Sequence, residues 1–234
     1  MVRPGTRGVV LDLDDTLYLE RDYVRSGFAA VAAHLASQWG VDASGVRDHL
    51  WQRFTKGERG NHFDDLVSRD PALRDRVHVP DLVEVYRKHV PDIRLIPGIE
   101  DLVGALRAAG LRTGVISDGA LASQQAKVDA LGIDRLVEGP VVLTDVWGRE
   151  CWKPHPRAFL HMQESWALPP EELIYVGDNP RKDFDAPRDL GWACLRLRLP
   201  GQLHTAVDDR VLPDLTVTSV GALVEALMPG PRLR

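Results

Sequence analysis

Residues 9 to 18 read VVLDLDDTLY and set Asp12, Asp14 and Asp15 within four positions, directly behind an apolar run. Like charges this close repel, and each ionisation makes the next harder. Such a cluster makes sense where something strongly positive meets something that must be attacked. Other groups able to do chemistry stand further along: Ser117, Asp118 and Gly119 in VISDG, Lys153 in WKPHP, and Asp178 with Asp183 in GDNPRKD. Carboxylates can ligate a hard cation or act as nucleophile or acid and base, and an ammonium can offset their charge.

These residues act together only if the fold gathers them. Residues 8 to 13 read as a buried strand, after which the pattern from about Asp22 to His89 is helical with almost no strand signal, which suggests an insertion. Val24, Phe28, Val31, Leu35 and Trp39 recur at helical spacing, as do Val46, Leu50 and Phe54, so each helix has one apolar face. The stretch TKGERGNHFDDL, with its two glycines, reads as a loop or bent helix. From Pro97 helix and strand alternate. A helix carrying Ile99, Leu102, Val103 and Leu106 closes at Gly110 before the strand LRTGVIS, and QQAKVDALG precedes a strand near VVLTD. PRAFLHMQESWAL, with Pro156 in its first turn, precedes LIYVGD, and a helix ending at Leu190 before Gly191 precedes WACLRL. A short TVTSV strand and a helix carrying Leu223, Val224 and Leu227 follow, and the final PGPRLR is expected to fray. Alternation of this kind implies a parallel sheet covered by helices, whose ligand crevice lies at the carboxyl ends of the strands. The chemically able residues fall at those ends.

With the four motifs DLDDT, VISDG, KPHPRAF and GDNPRKD in this order, the chain resembles the haloacid dehalogenase superfamily, specifically its capped phosphatases. The resemblance spans residues 9 to 191, and the helical insertion falls where that family places its first type of cap. It implies an α/β fold: a Rossmann-like catalytic core of residues 1–18 and 94–234, with an all-helical cap over 19–93.

The chemistry accounts for the residue types. A phosphate monoester dianion repels the carboxylate, Asp12, that must attack it, and charges a few Å apart interact by several kcal/mol at an effective dielectric of about 20. Magnesium held by Asp12 and Asp178, together with the Lys153 ammonium, leaves that assembly nearly balanced. The resemblance places the Asp14 backbone carbonyl on the metal as well, and makes Asp183 a partner of the metal waters or of Lys153. Ser117 and neighbouring amides, including the Asp118–Gly119 turn, are expected to hold the other phosphoryl oxygens. Asp14, protonated through desolvation and its neighbour Asp12, would donate to the departing alkoxide and later take a proton from water. The dehalogenases lack an acid there, since a halide needs no proton to leave, so Asp14 favours phosphoryl chemistry. Asp15 reads as a turn residue or outer acceptor, and Thr16 as a substrate-side residue whose hydroxyl tightens the loop.

Two positions depart from the family pattern. Asp118 stands where asparagine is common and puts a negative charge beside the phosphate site, either turned away or binding a substrate hydroxyl. His155 stands where aspartate is common and reads as a solvent-facing helix start. In the insertion, Tyr18, Glu20 and Arg21 lie at the first hinge, and Lys56, Arg59, His62 and Phe63 form a basic and aromatic cluster suited to a carboxylate, a second phosphate or sugar hydroxyls. The alternative for that cluster is a solvated loop.

Bulk properties narrow the classes. The chain has 234 residues, 44% hydrophobic and 27% charged, without an apolar stretch long enough to span a bilayer. Its first apolar run is broken by aspartates after four residues, unlike a signal-peptide core, so a cytoplasmic protein is expected. Cys151 and Cys194 are the only cysteines and read as packing residues. A net charge of −5 disfavours nucleic acid as a partner. The expectation is a magnesium-dependent phosphatase that passes through an aspartyl-phosphate and acts on a small phosphorylated metabolite such as a sugar phosphate. A phosphomutase of the beta-phosphoglucomutase type and a non-catalytic binding protein on the same fold are the alternatives.

Overall fold

The structure is a computed structural model that describes residues 5–228; the terminal PGPRLR segment lies outside them. By Cα proximity the chain divides into two compact units, Met1–Arg21 with Arg94–Arg234, and Asp22–Ile93.

The first unit is built on six parallel strands: β1 (Gly8–Leu11), β2 (Arg112–Ser117), β3 (Val141–Leu143), β4 (Leu173–Gly177), β5 (Ala193–Leu197) and β6 (Leu215–Val217). Their spatial order is β3-β2-β1-β4-β5-β6. The connections run outward in one direction to β3 and then in the other from β4, so the switch falls beside β1. In such sheets a crevice opens there at the carboxyl ends of the strands. Strand β1 is shorter than residues 8 to 13 because regular pairing stops at Leu11. Asp12 still donates its N–H to Val176 O at 2.8 Å, and Leu13 is buried in the loop beyond.

Helices cover the sheet: α6 (Ile99–Ala108), α7 (Leu121–Leu131), α8 (Ile133–Leu136), α9 (Arg157–Trp166), α10 (Asp185–Asp189) and α11 (Val220–Leu227), numbered after the five helices of the second unit. Ile99, Leu102, Val103 and Leu106 are all buried, as their spacing requires. Helix α9 begins one residue after Pro156, which stands at its N-cap position. Phe159 packs edge-on against Tyr175 and Trp192 within a cluster that includes Val10, Ile116, Met162 and Trp166. Fully burying a side chain such as Phe or Met is worth about 1.5–3 kcal/mol, so this cluster fixes the sheet behind the crevice. Both cysteines are buried.

The second unit is helical. Helix α1 (Glu20–Trp39) begins in the first unit and continues into it, followed by α2 (Ala43–Thr55), α3 (His62–Arg69), α4 (Pro71–Arg74) and α5 (Val79–Lys88). Val24, Phe28, Val31 and Leu35 are buried, but Trp39, the last residue of α1, is 39% exposed and falls outside the apolar face it was expected to extend. TKGERGNHFDDL is neither all loop nor one bent helix: α2 ends at Thr55 and α3 starts at His62, because Phe63, Leu66 and Val67 supply a buried face. Among the described residues, no helix is long and apolar enough to cross a membrane.

Candidate active site

Lys153 is the centre of the site. Its ammonium, wholly buried, donates to Asp12 Oδ1 at 2.6 Å, Asp183 Oδ1 at 2.8 Å and Tyr175 Oη at 2.7 Å. Asp12 comes from the end of β1, Tyr175 from β4 and Asp183 from the loop after β4, so one cation ties three loci together. Asp183 is fixed on its other oxygen by the Asn179 N–H at 2.8 Å. Gly177 makes room for it: a Cβ there would stand 2.5 Å from Asp183 Oδ2. Arg196, buried on β5, holds the same loop by donating to the Asp178 carbonyl at 3.2 Å, the His204 carbonyl at 2.7 Å and the Asp209 carboxylate at 2.8 Å.

The Lys153 ammonium, even with the charge of Lys182 nearby, does not satisfy the buried carboxylates. Burial pushes Asp12 up to about 7; Lys153 pulls it back and Asp183 adds to the rise. Burial, followed by the charges of Asp183 and Asp12, drives Asp178 well above the usual carboxylate range. Burial works against the Lys153 ammonium, yet Asp12, Asp183 and Asp118 outweigh it and hold its pKa above that of an ordinary lysine. The pair is thus lopsided, with a cation amply compensated and acids that are not.

The residues present fit a hard divalent cation. Asp12 Oδ2 and Asp178 Oδ2 are buried and accept no hydrogen bond, and Asp12, Asp178 and Asp183 each offer an oxygen within 4.8 Å of the others. Both oxygens of Asp183 already accept bonds, from Lys153 and Asn179, so a cation here would be held directly by Asp12 and Asp178, with Asp183 orienting their neighbour Lys153.

Asp14 is placed differently from its sequence expectation. Oδ1 accepts from the Tyr18 hydroxyl and from Lys127 Nζ at 2.7 Å, and Oδ2 accepts from Gln124 Nε2 at 3.1 Å. Burial would raise its pKa, but Lys127 and these hydrogen bonds more than offset that and hold it below the usual carboxylate range. Asp14 at rest is therefore an ionised acceptor rather than a protonated acid. Its side chain being engaged in this way, a contribution to a cation would have to come from its main-chain carbonyl.

Ser117, at the end of β2, is buried and donates to Gln124 Oε1 at 2.9 Å. Asp118 is turned into the protein: Oδ1 accepts from Thr144 Oγ1 at 2.8 Å and the Lys153 N–H at 3.0 Å, and Oδ2 accepts from Lys182 Nζ at 3.2 Å. Its carboxyl lies below the usual range because Lys153 and Lys182 outweigh burial. Gly119 has φ +137, and a Cβ there would meet Gln124 Nε2 at 2.3 Å. The Thr16 hydroxyl is buried without a hydrogen-bond partner; main-chain bonds from Thr16 and Leu17 to the Leu13 carbonyl close that turn instead. Asp15, with φ 55, is both turn residue and acceptor, receiving the Glu20 N–H at 2.7 Å and the Leu203 N–H at 2.6 Å. His155 is exposed and accepts from the Arg157 N–H at 3.2 Å, as a helix-start residue would.

The cluster Lys56, Arg59, His62 and Phe63 lies in the second unit. Arg59 stacks on the Phe54 ring at 4.6 Å and donates to the Phe54 and Glu58 carbonyls, and Phe63 is buried beside Phe28, so two of the four are taken up by local packing. His62 is half-buried edge-on to Phe28, with its pKa lowered by burial and then by Arg53; Lys56 is exposed at the end of α2.

Gln124, Lys127, Tyr175 and Lys182 escaped the sequence reading, and Tyr18, read there as a hinge residue, is a partner of Asp14. The available signal was QQAKVDALG, where a helix turns two polar residues three positions apart onto one face, which in sequence looks like a solvated face.

Known proteins resemble this chain in sequence and in fold. The family model described as haloacid dehalogenase-like hydrolase matches residues 6–191. A glyceraldehyde 3-phosphate phosphatase of Methanocaldococcus jannaschii is 30% identical, over 94% of this chain and 96% of its own length. A phosphoglycolate phosphatase of Escherichia coli K12 is 29% identical, over 94% of this chain and 92% of its own. Among solved structures, a HAD family hydrolase from Deinococcus radiodurans R1 with bound phosphate and sodium superposes with a TM-score of 0.65 at 21% identity, covering 96% of each chain. With a family model matching most of its length, on a parallel sheet whose switch point falls beside β1, the chain belongs to the haloacid dehalogenase-like hydrolases.

Proposed function

We propose that the chain, a phosphatase of this family, hydrolyses the monoester of a small phosphorylated metabolite, such as a short-chain or sugar phosphate, through an aspartyl-phosphate on Asp12. The observation that carries the reading is the asymmetry of Asp12: one oxygen lies on the Lys153 ammonium at 2.6 Å, and the other is buried and bonded to nothing. Magnesium held by Asp12 and Asp178, with the Asp14 carbonyl as a further donor, would supply the positive charge that lets anion approach dianion.

In the first half-reaction a carboxylate oxygen of Asp12 bonds to phosphorus, the bond from phosphorus to the ester oxygen breaks, and the alkoxide leaves with a proton delivered through Asp14. Asp14 rests ionised, and a dianion bound beside it raises its proton affinity against the pull of Lys127. In the second half, water attacks the aspartyl-phosphate, Asp14 takes the water's proton, and inorganic phosphate leaves Asp12 as a carboxylate. Lys153 keeps Asp12 and Asp183 in place throughout. Selection of the organic part of the ester is assigned to the helical insertion, where Lys56 and His62 are the candidates left after packing claims Arg59 and Phe63.

The test is a screen of phosphorylated metabolites, including glyceraldehyde 3-phosphate and phosphoglycolate, that scores released phosphate for wild type and Asp12→Asn. Release by wild type without a bisphosphate activator is expected, and this separates hydrolysis from return of the phosphoryl group to a sugar. Asp12→Asn should be folded and inactive; wild-type turnover in that variant would remove Asp12 as nucleophile.

A further inference from the structure

We propose that Gln124 and Lys127, one turn apart on α7, are positioning residues that hold the Asp14 carboxylate where it can move protons to and from the substrate. The inference deepens the phosphatase reading and rests on it.

The face of α7 that turns inward carries Ser123, Gln124, Lys127 and Val128, three polar groups where a packing helix would place apolar ones. Lys127 and Gln124 are each 3% exposed. Burying an ammonium and a carboxylate together is weak evidence for stability, because desolvation offsets much of their attraction. A buried pair at this place therefore calls for a role besides docking the helix.

Geometry supplies that role. Lys127 Nζ reaches Asp14 Oδ1 at 2.7 Å, and Gln124 Nε2 reaches Asp14 Oδ2 at 3.1 Å, so two donors from one helix pin both oxygens. The Tyr18 hydroxyl adds a third donor on Oδ1. The Gln124 amide is also held at its other end, accepting from Ser117 Oγ at 2.9 Å. It thereby links the hydroxyl expected to hold a phosphoryl oxygen to the group that moves the proton. Gly119 keeps the amide in place, since a side chain there would collide with Gln124 Nε2. Lys127 Nζ also lies over the Tyr18 ring, 5.9 Å from its centroid.

A positioning role and a structural one differ in what they do to the two half-reactions. With 4-nitrophenyl phosphate the leaving group departs without a proton, so forming the aspartyl-phosphate does not require Asp14, whereas hydrolysing it does. In stopped-flow with magnesium present, Lys127→Met should give a burst of about one nitrophenolate per enzyme followed by turnover slowed about 10- to 100-fold. With an alkyl phosphate the same variant should lose kcat to a similar extent with KM nearly unchanged. Gln124→Leu should change both readouts in the same direction by less, and Lys127→Arg, which keeps a cation, should recover part of the loss. Wild-type turnover on both esters in Lys127→Met and Gln124→Leu overturns the inference, and so does folded Lys127→Met that loses burst and turnover alike. Should Lys127→Met fail to fold, Gln124→Leu decides by the same two readouts. Wild-type protein that releases no nitrophenolate would instead overturn the phosphatase reading, and this inference with it.

Discussion

Replacing Asp12 by asparagine should stabilise the metal-free protein while abolishing its activity. In the folded chain burial raises the Asp12 pKa from 3.8 to about 7, a rise that survives the attraction of Lys153. The folded state therefore binds a proton more tightly than the unfolded one, and stability falls as pH climbs between these two values. Each pKa unit corresponds to 1.36 kcal/mol, so the penalty is absent below about pH 4 and reaches about 4 kcal/mol by pH 8. At pH 5 it is less than half of that. Asparagine carries no charge and escapes the penalty. Since Asp12 and Asp178 titrate together, part of the relief will be taken up by Asp178, and a gain of about half the full value is the fair expectation. For a chain of this size about 2–4 °C accompanies each kcal/mol, so melting in chelator at pH 8 should rise by about 4–8 °C in Asp12→Asn, and by clearly less at pH 5. Adding magnesium should raise the wild-type melting temperature and close much of the gap, because the cation relieves the same repulsion. Equal melting of the two proteins in chelator at pH 8, or a gain that does not change with pH, would refute the reasoning that these acids are under-compensated.

Further substitutions test the rest of the site. Lys153→Met leaves Asp12 and Asp183 buried without their shared cation and should cost about 3–5 kcal/mol in a denaturant titration, besides eliminating phosphate release. Lys182→Met removes the ammonium bonded to Asp118 Oδ2 and leaves Lys153 as its remaining cation, so KM for a phosphate ester should rise severalfold, and adding Asp118→Asn should recover most of the loss; additive effects in that double-mutant cycle would deny the pairing. Gly119→Ala places a Cβ against Gln124 at a backbone angle suited to glycine, and a circular dichroism spectrum like that of wild type with kcat reduced about tenfold or more is expected.

Much of the core was legible because its signals are local and repeated. Each strand is a short apolar run, each helix shows its face by spacing, and Asp12, Asp118 and Asp178 each directly follow a strand. Asp12 and Asp178 could be placed on one rim from the order of elements alone. What escaped was whatever depends on a third dimension. Gln124 and Lys127 differ in type from any solvent-facing pair in no way, and only the packing of α7 shows that they point inward. Asp14 reads as a proton donor from its spacing to Asp12, but its state is set by Lys127, more than a hundred positions away. Asp118 reads as an intrusive charge until Lys182 is seen opposite it. In the insertion, the cluster of Lys56, Arg59, His62 and Phe63 looked functional by composition, yet Arg59 and Phe63 serve the neighbouring phenylalanines.

The chain leaves and re-enters the sheet-bearing unit at neighbouring points, where Tyr18 bridges to Leu95 and the Leu17 carbonyl accepts the Ile96 N–H at 2.8 Å. An inserted segment whose two ends are already clasped costs little extra chain entropy however long it grows. The region between the clasped ends can thus be lengthened, shortened or exchanged for another without disturbing strand register or the acids at the rim. On the proposed division of labour, substrate choice and bond-breaking machinery are in this way free to evolve on separate schedules.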